Sequence, residues 1–253
     1  MTGSSDTELI IPDWPAPTRV RAISTTRAGG CSVEPYDSLN LARHVGDRDE
    51  HVTANRARLS ELVGYPGEPA WLEQVHGNRI VEAGSCQTPP AADACVTAET
   101  GRVCVVMTAD CLPVLFCDRQ GTHVAAVHAG WRGLAEGILE ATVARLCESA
   151  ACLKRELLAW MGPAIGPRVF EVGEEVRSTF LLENDVEDAF LLTRPGHWNM
   201  DIYAVARQRL ADVGVNNIYG GNFCTATESQ RFFSYRRDGS CGRMASMIWL
   251  QDH

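Results

Sequence analysis

Two short stretches hold the residues best suited to chemistry, Thr108-Ala109-Asp110-Cys111-Leu112-Pro113 and Val127-His128-Ala129-Gly130-Trp131-Arg132-Gly133. Each adjoins an apolar run of strand type, Leu112 to Cys117 and His123 to Val127, with turn formers at Asp118-Arg119-Gln120-Gly121 between them. If these runs form a hairpin that turns at Arg119-Gln120, Cys111 stands directly opposite His128, with Cβ atoms roughly 4.5–5.5 Å apart. A loop of another length would shift that register. A thiol beside an imidazole supports two chemistries. The His either activates the thiol as a nucleophile, or both side chains bind a metal such as zinc. His76, in Gln74-Val75-His76-Gly77-Asn78, is the best candidate for a third ligand. Three protein ligands and an open position would mark a catalytic zinc, since structural sites are closed by four. On spacing alone the metal reading stays one of several, because a single His is more often a satisfied core residue.

A second cluster is basic: Phe232-Phe233-Ser234-Tyr235-Arg236-Arg237-Asp238-Gly239, followed by Gly242-Arg243. Arginines beside aromatics and hydroxyls can hold a phosphate or stack on a base. The same residues also spell a charged hairpin turn, and on the residues alone that reading is preferred. Arg132 precedes an expected helix, where backbone N–H groups favour an anion. Arg27 and Arg56 are further candidates. His44 is balanced between a loop and a pocket role, while His51, His123 and His253 are read as incidental.

The elements that must position these groups follow from pattern. Arg19 to Thr25 reads as a strand that ends in a tight turn at Arg27-Ala28-Gly29-Gly30. Val52, Leu59, Leu62 and Val63 predict a helix over 49–63, with Asp47 or Asp49 as cap and Gly64 as the stop. Val103 to Met107, Leu112 to Cys117 and His123 to Val127 are apolar on both faces, so they belong inside a covered sheet. After a loop at Ala129–Gly133, the series Leu134, Ile138, Leu139, Val143, Leu146 and Cys147 has helical period. Asp201 caps a further helix that runs to Gly214. Glu171 to Leu182 suits a helix, Gly162 to Pro167 irregular backbone, and Arg231 to Tyr235 and Met244 to Leu250 strands. Blocks of strands and helices without strict alternation favour an α+β fold of mixed sheets flanked by helices.

Composition narrows the function. With 23 Lys plus Arg against 32 Asp plus Glu, the 253-residue chain carries a net charge of -9, the wrong sign for general attraction to nucleic acid or anionic lipid. Its longest apolar runs fall far short of the ~18–20 residues a bilayer span needs. The first twelve residues lack a basic start followed by an apolar core, so no secretory signal and a cytoplasmic location are expected. The ten cysteines include no CxxC pair and are read as reduced thiols, with Cys104, Cys117, Cys147 and Cys152 as small buried hydrophobes. GxxxxGK[ST], GxGxxG after a strand, HExxH and GxSxG are absent, which lowers the standing of phosphate-loop, dinucleotide, zincin and α/β-hydrolase readings.

Taken together, TTRAGG at 25–30, SLNLARHVGD at 38–47, QVHGN at 74–78, TADCLPVLFCD at 108–118, VHAGWRG at 127–133, GPAIGPRVFEVG at 162–173 and FFSYRRDG with GRMAS near the end resemble the YfiH family, also called laccase-domain proteins. The resemblance runs from about residue 20 to 251. It implies a single α+β domain over 1–253, with 1–18 an N-terminal extension. It also implies a metal site of His76, Cys111 and His128, with zinc the expected ion and copper the alternative. The implied activities are phosphorolysis of adenosine, inosine, guanosine or methylthioadenosine to base plus sugar 1-phosphate, and adenosine deamination. On that reading His76, Cys111 and His128 are catalytic, and Asn40, His44, Arg56, Asp93, Arg236 and Arg243 are candidates for contact with nucleoside or phosphate. A monomer or small homo-oligomer is expected, without nucleic-acid or membrane partners. Arg168-Val169-Phe170 and Cys31 depart from the family's common residues and bear only on local packing. Three rival readings remain: a copper polyphenol oxidase, for which seven histidines are too few to build several copper centres; a cysteine or zinc hydrolase that edits a peptidoglycan precursor; and a non-catalytic zinc-stabilised interaction module.

Overall fold

The computed structural model describes residues 7–84, 88–181 and 186–252. Expectations for Cys86, Leu182, His253 and the first six residues lie outside them. In chain order the first half contains β1 (Leu9–Ile10), β2 (Val20–Thr25), α1 (Asp49–Val63), β3 (Pro69–Ala70), β4 (Ile80–Glu82), β5 (Ala94–Thr97), β6 (Val103–Thr108), β7 (Leu112–Asp118) and β8 (Val124–Ala129). The second half contains α2 (Trp131–Ala135), α3 (Ile138–Ala150), β9 (Leu157–Met161), β10 (Glu171–Gly173), α4 (Glu174–Leu181), β11 (Phe190–Arg194), β12 (His197–Met200), α5 (Ile202–Asp212), β13 (Asn217–Gly220), α6 (Tyr235–Asp238) and β14 (Met244–Leu250).

Two large mixed sheets form the centre, ordered β1-β2-β14-β6-β3 and β13-β9-β7-β8-β5-β4. Their strands alternate which face each residue serves. Cys104, Val106, Ile248 and Leu250 of the first sheet pack against Cys95, Leu115, Cys117, Ala126 and Trp160 of the second. The opposite face of the first sheet, with Val103, Val105, Met107 and Met247, meets Leu59 of α1 and Leu39, Leu41 and Trp71. The opposite face of the second, with Val114, Phe116, Val127 and Ala159, is covered by Leu139 and Val143 of α3 and Val205 and Leu210 of α5. Both faces of each sheet are therefore covered, giving one α+β domain of helix, sheet, sheet and helix layers, as the doubly apolar strands predict. A small sheet of β10, β12 and β11 stands beside it. The segment read as an N-terminal extension supplies the edge strand β1, with Leu9 opposite Thr25.

Helix α1 has the predicted bounds and ends at Gly64, whose φ of 63° provides the left-handed stop. Helix α5 begins where the Asp201 carboxylate accepts from the N–H groups of Tyr203 and Ala204, at 3.0 Å each.

Several expectations are corrected. The β7–β8 hairpin pairs Pro113, not Cys111, with His128, and the last pair is Cys117 with Val124. The turn is wider than two residues because the Asp118 carboxylate accepts from the N–H groups of Gln120, Thr122 and His123, which organises an Asx-type loop. Trp131–Gly133 starts α2 instead of forming a loop, and Glu171–Gly173 is a strand before α4. Arg231–Tyr235 is not a strand, nor is Arg236–Gly239 a hairpin turn: Ser234 caps the one-turn helix α6, its hydroxyl accepting from Arg237 N–H. Cys104 and Cys117 are buried as expected, whereas Cys147 and Cys152 are half-buried.

Candidate active site

The chain passes from one large sheet to the other between Thr108 and Leu112, and the three residues of that crossing put a thiol at the open end of the sandwich. Asp110 makes the bend with φ 92°, a left-handed conformation that a non-glycine residue adopts only under tertiary constraint. Cys111 follows it. Beside it, at the end of β8, lies the buried His128. His76 comes from the loop between β3 and β4 and also holds a left-handed φ, 64°. The ligand atoms of His76, Cys111 and His128 all lie within 4.8 Å of one another. The two imidazoles meet edge to face, ring centroids 4.8 Å apart. Although Cys111 is not opposite His128 in the ladder, the widened turn shifts it by two residues, which preserves the face it projects from.

Asp93 organises this cluster from behind. Fully buried, its carboxylate accepts from the consecutive N–H groups of Val75 (3.2 Å), His76 (2.9 Å) and Gly77 (2.8 Å). It also bonds His128 Nδ1 at 2.8 Å. That fourth contact leaves His128 Nε2 as the nitrogen for the cluster. A carboxylate behind a histidine is the usual support of a metal-bound imidazole. Gly130 supplies the room: a Cβ there would stand 3.2 Å from both Cys111 Sγ and His76 Cδ2. The donor set of one sulfur and two imidazoles, with a carboxylate behind one of them, fits zinc, and also suits copper.

In the metal-free protein burial pushes the Cys111 thiol up, but the His128 charge and hydrogen bonds with His128 and His76 outweigh it and bring the thiol down to about 6. His128 moves the other way. Burial lowers it, while the Cys111 charge and the Asp93 hydrogen bond lift it to about 9. Cys111 is thus thiolate above pH 6 and becomes a thiol only below it. Stripped of metal, the protein should be alkylated at Cys111 by iodoacetamide with a rate midpoint near pH 6, followed by mass spectrometry, and one equivalent of zinc should suppress the reaction. A midpoint near the ~8.5 of an ordinary thiol would contradict this electrostatic picture.

The cluster opens into a cleft of about 390 Å³ whose walls include His44, Phe170, Tyr235, Arg236 and Arg243. Arg236 Nη1 donates to the Glu171 carbonyl at 2.8 Å, and its guanidinium lies over Phe170. Arg243 Nη1 donates to the carbonyls of Cys241 and Gly242. Both guanidiniums are anchored at one end. Burial, then the charges of Arg243 and Arg56, hold the His44 imidazole below its usual range, so it is neutral at pH 7.

Other predicted residues stand elsewhere. Arg56 donates from Nε and Nη2 to the Leu41 carbonyl, stacks 3.6 Å over Trp71, and lines an adjoining cleft of about 840 Å³ that shares His44, Gln74 and Met107 with the first. Asn40 is buried and braces the 40–47 loop, bonding the Ala42 carbonyl and Asp47 and accepting from Arg243 N–H. Neither Asn40 nor Asp93 forms part of the wall of either cleft. Arg27 is tied to Asp37 and the Ser229 carbonyl, and Arg132 lies over Trp131. Asp110, which the sequence marks only as the residue before Cys111 and gives no site role, is the further residue the structure places in the cleft wall.

A two-sheet α+β sandwich with a His–Cys–His cluster at the sheet crossing defines a protein with a metal-ready cleft. The chain belongs to the multi-copper polyphenol oxidoreductase laccase family, the YfiH family, whose model matches residues 21–251. A relative from Escherichia coli strain K12, named purine nucleoside phosphorylase YfiH, is 53% identical over 96% of this chain and 99% of its own. A purine nucleoside phosphorylase of Pseudomonas aeruginosa is also 53% identical, over 96% and 98%. Among solved structures, a Neisseria meningitidis protein superimposes with a TM-score of 0.91 at 47% identity, covering 96% of this chain and 99% of that one. YlmD from Geobacillus stearothermophilus gives 0.88 at 33% identity, over 93% of each.

Proposed function

We propose that the cleft is the active site of a zinc-dependent purine nucleoside phosphorylase that also deaminates adenosine. The observation that carries this reading is a His76–Cys111–His128 cluster facing, across one cleft, two arginines anchored through backbone carbonyls. When bound, zinc supplies Lewis-acid chemistry at the cleft floor. Arg236 and Arg243 hold the phosphate that attacks the sugar C1, and their partial anchoring limits the rotamer freedom lost on binding. Neutral His44 adds a hydrogen bond without a third positive charge. Ile165, Phe170 and Ile202 give the base an apolar wall that excludes water. Asp93 holds His128 and His76 in register and touches neither substrate. Arg56 lines the adjoining cleft and not the one the cluster opens into, so it is assigned no phosphate contact.

Among the described residues, no helix is long and apolar enough to cross a membrane. A cytoplasmic monomer or small homo-oligomer is the matching proposal. The donor set also suits copper, but a polyphenol oxidase needs several copper centres, and the described residues contain one such cluster.

Chromatography after incubating metal-quantified protein with adenosine, with and without phosphate, tests the reading. Adenine formed only with phosphate, and inosine formed in either case, are the expected products. No product from zinc-loaded protein overturns the proposal in favour of the peptidoglycan hydrolase or the interaction module.

A further inference from the structure

We propose that Asp110 is a positioning residue that fixes Arg236 relative to the metal ligand Cys111, so that the phosphate-binding wall and the metal floor are set by one side chain. This rests on the reading of the cleft as a phosphate-using site. The half-buried Asp110 precedes Cys111 directly, so its backbone cannot move without moving the sulfur. Its carboxylate reaches the other way. Oδ2 accepts the backbone N–H of Arg236 at 2.6 Å, and Oδ1 accepts the Thr225 hydroxyl at 2.6 Å. Its carbonyl accepts the Ile165 N–H at 3.0 Å, which ties in the irregular 162–167 segment. Three chain segments remote in sequence thus converge on one residue held at φ 92°. Strain of that kind persists only where surrounding contacts over-determine it.

The helix α6 that carries Tyr235 and Arg236 has four residues and too few internal hydrogen bonds to hold its own orientation. Besides the Arg236 guanidinium's own hydrogen bond to the Glu171 carbonyl, the helix is tied at two points. Arg237 donates to the carbonyls of Thr225, Ala226 and Phe232, anchoring the underside. Asp110 anchors the end that faces the cleft. Removing the carboxylate should leave the fold in place through Arg237 while releasing the Arg236 backbone, whose guanidinium is then held by the Glu171 carbonyl alone.

Glycine and asparagine separate the carboxylate from the backbone. Asp110→Gly removes both hydrogen bonds and eases the positive φ, so no new strain confuses the result. Asp110→Asn keeps one acceptor for Arg236 N–H and lets its amide donate to the Thr225 oxygen, preserving the geometry without the charge. Inorganic phosphate binding to zinc-loaded protein by calorimetry is the readout, and it does not depend on turnover. Asp110→Gly should weaken phosphate by about tenfold, the scale of one hydrogen bond to a charged group. Asp110→Asn should restore most of it, and both should keep the wild-type zinc content. In an Arg236→Ala background, Asp110→Gly should produce no further loss. Unchanged phosphate affinity in Asp110→Gly, losses that add in the double variant, or zinc lost together with phosphate would each overturn the inference. If wild type binds phosphate in this pattern but yields no adenine from adenosine, the enzymatic reading falls and the positioning role stands.

Discussion

Cys111→Ala is expected to yield a folded protein with less than about a tenth of an equivalent of zinc and with phosphorolysis and deamination lost together. Cys111 lies on the crossing between sheets, half-buried and outside the apolar clusters, so its truncation opens no core cavity. What disappears is the only thiolate among three donors that converge within 4.8 Å. Losing a carboxylate behind a metal ligand weakens binding by about 10–100-fold, and losing the ligand itself should exceed that. A fall in kcat/KM of about a thousandfold, roughly 4 kcal/mol, is the corresponding kinetic expectation. Metal analysis beside turnover also tells the two chemistries of this thiol apart. Zinc retained with activity gone would make Cys111 a nucleophile, a role a zinc-bound thiolate is not free to take, and full activity would remove it from the site.

How much of this was legible in the sequence depended on whether local pattern or tertiary contact decided the outcome. Helix α1 and strand β14 kept their predicted bounds because a glycine stop and an apolar period act within a few residues. Strands apolar on both faces required a covered sheet, but that there are two sheets sharing one interface follows from long-range pairing, such as Met247 with both Ile23 and Val105. The three candidate ligands could be named individually from their motifs, yet their convergence rests on a hairpin register that turn-residue counting misplaced. The Asp118 carboxylate, binding N–H groups up to five residues ahead, set the loop length instead. Helix α6 was invisible because its four residues gain their shape from Ser234, Arg237 and Asp110. Arg56 carries the right charge for phosphate, but Trp71 and the Leu41 carbonyl, neither adjacent in sequence, hold it in the adjoining cleft and not in the one the cluster opens into.

Asp93→Asn should damage stability and metal affinity at once, because one carboxylate serves both. Four N–H groups point at its two oxygens, three of them consecutive amides of the loop bearing His76. Asparagine offers one oxygen, and its NH₂ group would face donors in a site with no access to solvent. Breaking such a buried charge-assisted set costs about 2–4 kcal/mol, which for a domain of this size lowers Tm by roughly 5–15 °C. The pH dependence has a definite sign. Burial raises the Asp93 carboxyl, but the His128 and Gly77 hydrogen bonds outweigh it and hold it below the ordinary carboxylate range. A folded value below the unfolded one contributes stability that is present above the unfolded pKa of ~3.9 and is lost as pH falls through the folded one. The gap between wild type and variant should therefore be widest near neutrality, begin to narrow below about pH 4, where the unfolded chain's carboxyl takes up a proton first, and close as pH falls through the lower folded value, where the native carboxyl also acquires a proton facing those donors. Zinc affinity should drop by about 10–100-fold, since His128 loses the partner that fixes its tautomer and His76 loses the contacts that hold its left-handed backbone. Thermal melts across pH and competition with a chelator measure the two effects separately. A variant that melts like wild type and holds zinc as tightly would show that the loop and the imidazole orient themselves, and that the carboxylate behind them is incidental.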